Sequence, residues 1–269
     1  MTAAFETIPP ADGVGRTPVV AHIPHASETI PPEVRRELLA SDGELADELA
    51  RLTDRYTDEL FAGLATLGAT RFVNRLSRLV FDPERFVDEA AEPAEAVGQG
   101  VVYWRGAGGQ RLREVDADLR ARRIATLYRP YHAALDGLVA ELLAEFEACT
   151  VVDCHSFPSR PMPTEIAFEG ERPDICIGTD PFHTPEWLAA GLEATFRAEG
   201  FLVRRDVPFA GTFVPSGSYG REPRVRAVMI EVRRALYMDE ASGRPSTGLV
   251  SVRGAIARCL RSTLLSAIE

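Results

Sequence analysis

Three apolar, β-branched runs in this 269-residue chain each carry titratable side chains at or near their ends, and any fold must place those groups where burial does not penalise them. The clearest is Val151-Val152-Asp153-Cys154-His155-Ser156, with Pro158 just beyond. Val19-Val20-Ala21-His22-Ile23-Pro24-His25-Ala26-Ser27 repeats the arrangement, and Ala227-Val228-Met229-Ile230-Glu231-Val232-Arg233-Arg234 holds a glutamate inside a run that reads as buried. Such runs predict buried strands that deliver polar groups to a sheet edge. Histidine and carboxylate converging at strand ends suit a metal better than a core, because burying them unpaired is costly and one cation satisfies several.

The intervening segments alternate with these strands. Glu44 to Leu67 carries apolar residues at Leu45, Leu49, Leu52, Leu60, Phe61 and Leu64, which predicts one amphipathic helix closed by Gly68. Thr70 to Asn74 and Leu79 to Asp82 read as short strands. Glu89 to Gln110 reads as a surface excursion that covers or flanks the site, and Val115 to Cys149 as a long helical region with Pro130 as its potential break. Strands are expected at Val151 to His155, Ile175 to Gly178, Phe201 to Arg205 and Ala227 to Arg233. One helix is opened by Thr184-Pro185-Glu186, with the threonine as capping hydroxyl, and ends near Gly200; another follows Thr247. This alternation predicts an α/β fold, a layered sheet with helices on both faces. The length and the 45% apolar content suit one domain over residues 1–269 rather than two small ones.

Charge and composition narrow the function. A formal charge of −10 argues against a nucleic-acid or anionic-membrane partner and leaves a small molecule as the expected one. No run reaches the length of a membrane span, and Met1 to Glu6 lacks the basic start and apolar block of a secretion signal, so a cytoplasmic protein is expected. The four cysteines, Cys149, Cys154, Cys176 and Cys259, form no CxxC pair and read as reduced structural residues. All 30 basic residues other than histidine are arginine. Schiff-base, P-loop and general-base lysines are thereby excluded, and no GxxxxGK[ST] or GxGxxG fingerprint follows a strand.

Six stretches taken together carry a family resemblance: Ile23-Pro24-His25-Ala26-Ser27; Leu52-Thr53-Asp54-Arg55-Tyr56-Thr57-Asp58-Glu59-Leu60; Asn74-Arg75 with Arg78 and Asp82; Tyr128-Arg129-Pro130-Tyr131-His132; Asp153-Cys154-His155-Ser156; and Glu231-Val232-Arg233-Arg234. In this order and spacing they resemble the N-formylglutamate amidohydrolase family. The resemblance implies a three-layer fold like that of zinc exopeptidases, with a mixed sheet between helices. It also implies one zinc ion, with other divalent metals as alternatives, and hydrolysis of the amide of an N-acyl amino acid such as N-formylglutamate, a reaction of histidine degradation.

Carried over residue by residue, the resemblance makes His25, Asp54 and His155 the metal ligands, a set that leaves a position open for water. His22 competes with His25. Strand alternation would turn these two apart unless Pro24 disturbs the strand. Asp54 reads as mid-helix beside Asp58, where a solvated acidic face is the plain alternative, and Glu28 is a second carboxylate candidate. Glu231 is the general base, against the alternative of an ion pair with Arg233 or Arg234. His132 is a candidate oxyanion helper, although a packed, hydrogen-bonded histidine is the plainer reading. The resemblance puts Arg75, Arg78, Arg85, Arg233 and Arg234 near the site, and of these Arg75, Arg78 and Arg233 are expected to bind substrate carboxylates through the guanidinium fork. Asp82-Pro83-Glu84-Arg85 departs from the family's Asp-Leu-Asn-Arg pattern by placing an acid where an amide is expected, which bears on substrate choice.

Two rivals come from other classes. A thiol or serine hydrolase built on Cys154-His155-Ser156 is disfavoured because adjacent strand residues point to opposite faces. The other rival is a non-catalytic metal- or carboxylate-binding homologue. Within the enzyme reading, a peptidoglycan amidase is disfavoured by the missing export signal.

Overall fold

A computed structural model describes residues 3–165 and 170–265. In chain order its elements are β1 (Phe5–Ile8), β2 (Val19–Ile23), α1 (Pro32–Arg35), α2 (Asp42–Leu52), α3 (Thr57–Leu60), β3 (Thr70–Asn74), α4 (Ala117–Arg123), α5 (Arg129–Phe146), β4 (Cys149–Phe157), β5 (Ile175–Gly178), α6 (Glu186–Ala198), β6 (Val203–Arg205), β7 (Val225–Arg233), a small β8 (Met238–Asp239) and β9 (Arg244–Pro245) pair, and α7 (Gly248–Leu265). The main sheet has seven strands in the order β1-β3-β2-β4-β7-β5-β6. Its central strands β3, β2, β4 and β7 are parallel, whereas β1 and β5 run antiparallel to their neighbours β3 and β7. The fold is therefore the layered α/β sandwich expected from the alternation, with the mixed sheet that the family resemblance implies.

Both faces of the sheet are covered, which is why β2, β4 and most of β7 read as continuous apolar runs. On one face Ala21, Ile23, Val152, Cys154, Val228, Ile230 and Val232 pack with Leu188, Leu192 and Phe196 of α6 and with Leu249, Val252, Ile256 and Leu260 of α7. On the other, Val20, Val151 and Ala227 lie under Tyr131, Leu135, Leu138, Val139 and Leu142 of α5. Each buried aliphatic side chain contributes about 1.5–3 kcal/mol through the hydrophobic effect.

Several local expectations are corrected. The helix expected from Glu44 to Leu67 is three pieces. α2 opens on a Ser41–Glu44 capping box and stops at Leu52, because Thr53 turns extended; α3 and a 3₁₀ turn at Ala62–Leu67 follow. Leu79 to Asp82 is a turn rather than a strand. There Val80 N–H reaches Ser77 O at 2.8 Å, and the Ser77 hydroxyl accepts Leu79 N–H at 3.2 Å. Pro130 does not break its helix: a π turn at Ile124–Tyr128 joins α4 to α5, and the proline sits in the first turn of α5, where its missing N–H is least costly. Thr184 does not cap α6. Its hydroxyl donates to Ala227 O at 2.6 Å, and Pro185 occupies the cap position.

Candidate active site

Register places the polar groups before any long-range contact is considered. His22 lies opposite Asp153 across β2 and β4, and His155 lies opposite Glu231 across β4 and β7. The two-residue period of a strand puts all four on the face that carries Val20, Val151 and Ala227, one or two steps beyond the cover of α5. This is the crevice outside the carboxyl ends of parallel strands, where α/β proteins hold their ligands.

His25 reaches the same place by another route. β2 ends at Ile23, so alternation no longer applies after Pro24, and His22 and His25 approach Glu84 from two sides, with His22 Nδ1 3.5 Å from Oε1 and His25 Nδ1 3.6 Å from Oε2. Asp54 arrives because α2 stops short. Its N–H donates to His25 O at 3.0 Å, its own carbonyl accepts from the Thr57 hydroxyl at 2.8 Å, and its carboxylate turns inward instead of lining a solvated helix face. Asp54 is 3% exposed.

His25, Asp54 and His155 each offer a donor atom within 4.8 Å of the other two. Asp54 Oδ2 lies 3.1 Å from His155 Nδ1 and 3.8 Å from His25 Nδ1. Both imidazoles are held from behind by carboxylates. His155 Nε2 lies 3.0 Å from Asp153 Oδ1, and His25 Nε2 lies 2.9 Å from Asp82 Oδ1. Asp82 also accepts from Arg78 at 2.8 Å, Tyr103 at 2.9 Å and Glu84 N–H at 3.0 Å. Surrounded by donors, the Asp82 carboxylate can only accept, so the His25 proton sits on Nε2 and the Nδ1 lone pair points forward. That Nδ1 is buried and has no hydrogen-bond partner. A histidine oriented by a carboxylate at one nitrogen and free at the other is the arrangement in which imidazole ligates metals.

The electrostatics follow from crowding. Burial opposes ionisation of Asp54, but the hydrogen bond with His155 and the charges of His155 and Arg234 prevail and hold its carboxyl at about 2. Burial likewise opposes charge on His155, yet Glu84 and Asp153 outweigh it and raise the imidazole well above its ordinary range. His25 goes the other way, lowered by burial and by the nearby Arg78. Burial pushes Glu231 up to about 8 against the pull of His155. Its Oε2 is buried without a partner, so the ion pair with Arg233 or Arg234 offered as the alternative does not satisfy that oxygen.

Of the residues singled out from the sequence, the structure brings together His25, Asp54, His155 and Glu231, and Arg78 joins them through Asp82. Arg75 does not reach the cluster: its Nε donates to Glu6 at 2.9 Å on the surface. Arg233 pairs with Asp174, and the guanidinium that enters is Arg234, which donates to Asp54 Oδ1 at 3.0 Å. His132 is the packed histidine of the plainer reading, stacked on Tyr128 and donating from Nε2 to Pro83 O at 2.8 Å. Glu28 is bound to Arg55 at the rim. Asp82, Glu84 and Asp153 were not chosen from the sequence, although the unexpected acid in Asp82-Pro83-Glu84-Arg85 marked one of them; Arg234 was placed near the site by the resemblance but not chosen as a substrate contact.

An α/β sandwich with histidines and carboxylates at the ends of its parallel strands, beside an uncommitted buried glutamate, has the layout of an enzyme site. Sequence and structure comparisons give the class a name. The profile of the N-formylglutamate amidohydrolase family matches residues 17–238, and the chain belongs to that family. It is 30% identical over 234 residues to the N-formylglutamate deformylase of Pseudomonas aeruginosa, and 26% identical over 235 residues to that of Pseudomonas putida, with 84% of each chain covered in both alignments. The crystal structure of an N-formylglutamate amidohydrolase from Ralstonia eutropha superposes with a TM-score of 0.83 at 21% identity, covering 99% of this chain and 98% of the other. A gene product from Agrobacterium tumefaciens superposes at 0.70 and 23% identity, covering 99% and 96%. No helix among the described residues is long and apolar enough to cross a membrane.

Proposed function

We propose that this chain is a metal-dependent amidohydrolase that cleaves an N-acyl amino acid, N-formylglutamate or a related N-acyl acidic amino acid, with a divalent cation, zinc in the first instance, held by His25, Asp54 and His155. One observation carries the reading. His25 Nδ1, forced to be an acceptor, is buried without a partner and faces the carboxylate oxygens of Asp54 at 3.8 Å and Glu84 at 3.6 Å. His25 Nδ1 has no donor at all, and the Asp54 and Glu84 carboxylates it faces share the single His155 imidazole, so a cation between these three groups would satisfy them together. When bound there, a divalent cation polarises the amide carbonyl, lowers the pKa of water and pulls Glu231 toward its ionised form.

The residues divide the remaining work. Glu231 takes a proton from the attacking water at Oε2 and returns it to the departing amine nitrogen. Asp153 and Asp82 keep the imidazoles turned forward, and Arg234 keeps Asp54 ionised. The names of the Pseudomonas relatives support the substrate class. Arg78, in contact with the cluster through Asp82, is the proposed contact for a substrate carboxylate.

The test is metal analysis combined with an N-acyl amino acid activity screen on His155→Ala and Glu231→Gln. His155→Ala should lose the ion. Glu231→Gln should keep it while turnover falls by roughly 10²–10⁴-fold, the contribution of a general base. Turnover that survives both a chelator and Glu231→Gln would refute the reading.

A further inference from the structure

Two of the buried carboxylates near the site have a guanidinium partner. Asp54 has Arg234 at 3.0 Å, and Asp82 has Arg78 at 2.8 Å with Arg85 at 3.6 Å. Asp153 and Glu84 form no arginine pair among the described residues. Asp153, 1% exposed, meets His22 Nδ1 at 2.9 Å, His155 Nε2 at 3.0 Å and the Phe213 N–H at 3.0 Å. Among the described residues the Glu84 carboxylate meets imidazoles alone: His155 Nε2 at 3.1 Å, His22 Nδ1 at 3.5 Å and His25 Nδ1 at 3.6 Å. Asp153, buried, and Glu84, half-buried, thus meet imidazoles with no guanidinium beside them, and the unpartnered His25 Nδ1, on a residue 1% exposed, faces Glu84.

His22, Glu84 and Asp153 each offer a donor within 4.8 Å of the other two, and they share no residue with the His25, Asp54 and His155 set. Their far ends are braced as metal ligands usually are. His22 Nε2 is 2.7 Å from the Tyr131 hydroxyl, and Asp153 Oδ2 accepts from the Phe213 backbone. The His22 ring is also clamped, stacked on Phe213 at 4.2 Å between centroids. Glu84 is positioned between the two sets, Oε1 toward His22 and Oε2 toward His25.

We propose that this chain holds a second divalent cation, bound by His22, Asp153 and Glu84, with the Glu84 carboxylate spanning the two ions. The inference rests on the single-ion reading above and goes beyond it. An acid at position 84 is what creates the site, because a neutral amide there would provide no anion to share. The same cation also removes a conflict. Glu84 would otherwise present a negative charge to an acidic substrate, and a bound ion neutralises it.

The experiment is zinc equilibrium dialysis of the full chain after chelator treatment, with metal counted per folded chain. Wild type should bind two ions. Glu84→Asn and His22→Asn should each bind one, and His25→Ala should also bind one because it removes the other ion. Wild type with one ion, unchanged in Glu84→Asn, overturns the second site and leaves the single-ion reading standing; wild type with none overturns both. Two ions retained by Glu84→Asn overturn the assignment of Glu84. Should the asparagine variants fail to give a native circular dichroism spectrum, the wild-type count alone decides, because one ion is incompatible with the proposal.

Discussion

The two faces of β2, β4 and β7 are built from alternating residues of the same strands, yet they solve opposite problems. Under α6 and α7, Ala21, Ile23, Val152, Cys154, Val228, Ile230 and Val232 need nothing but close packing. On the other face, past the cover of α5, His22, Asp153, His155 and Glu231 are just as inaccessible but must be neutralised by specific partners. Apolar burial is non-directional and tolerates imprecise neighbours, whereas buried charge is favourable only when each group meets its counterpart at a few ångströms. The first face stabilises the fold, and the second draws on that stability to hold a site.

The charged face is the more easily disrupted of the two. Asp82→Asn preserves shape but leaves the half-buried Arg78 without its counter-ion and replaces the charged acceptor that orients His25 by a weaker amide oxygen. We expect a loss of about 3–5 kcal/mol in urea unfolding together with weakened metal binding. Stability within 1 kcal/mol of wild type would show that this face is no more demanding than the other.

Leu192→Ala, on the fully buried face of α6, should cost about 2–5 kcal/mol through lost burial and the cavity left behind. Metal content per folded chain should not change. A drop in metal stoichiometry would mean that the two faces are not separable.

The smallest effect sharpens the boundary between the faces. Burial depresses the His132 imidazole from 6.5 to about 4, so the native state keeps it neutral while the unfolded chain takes up a proton below its ordinary value. The unfolded state then binds more protons, and stability should fall by up to about 3 kcal/mol as the pH drops from about 6.5 to about 4, with little further change from this group below. In His132→Gln, whose amide can still donate to Pro83 O, that part of the slope should disappear. A stability–pH curve parallel to wild type over this window would contradict it.

The sequence alone determined the strand cores and the residue types at their ends, because apolar runs of β-branched residues have few alternatives to burial and their period assigns each side chain to a face. It also marked His25, His155 and Glu231 through their place in or just after those runs. Tertiary structure decided the rest. Asp54 joins the buried cluster because α2 stops at Leu52 and the Asp54 N–H bonds to His25 O, a contact that no local pattern encodes. His22 and His25 converge because the strand ends between them, and Arg234 rather than Arg233 enters because each guanidinium follows the nearest carboxylate in space. Glu84 was visible as an odd acid, but its contact with three imidazoles arises from a turn that packs against strands far away in sequence. Periodicity is a property of neighbouring residues and can be read along a chain; charge pairing depends on distances between remote segments, which exist only once the chain has folded.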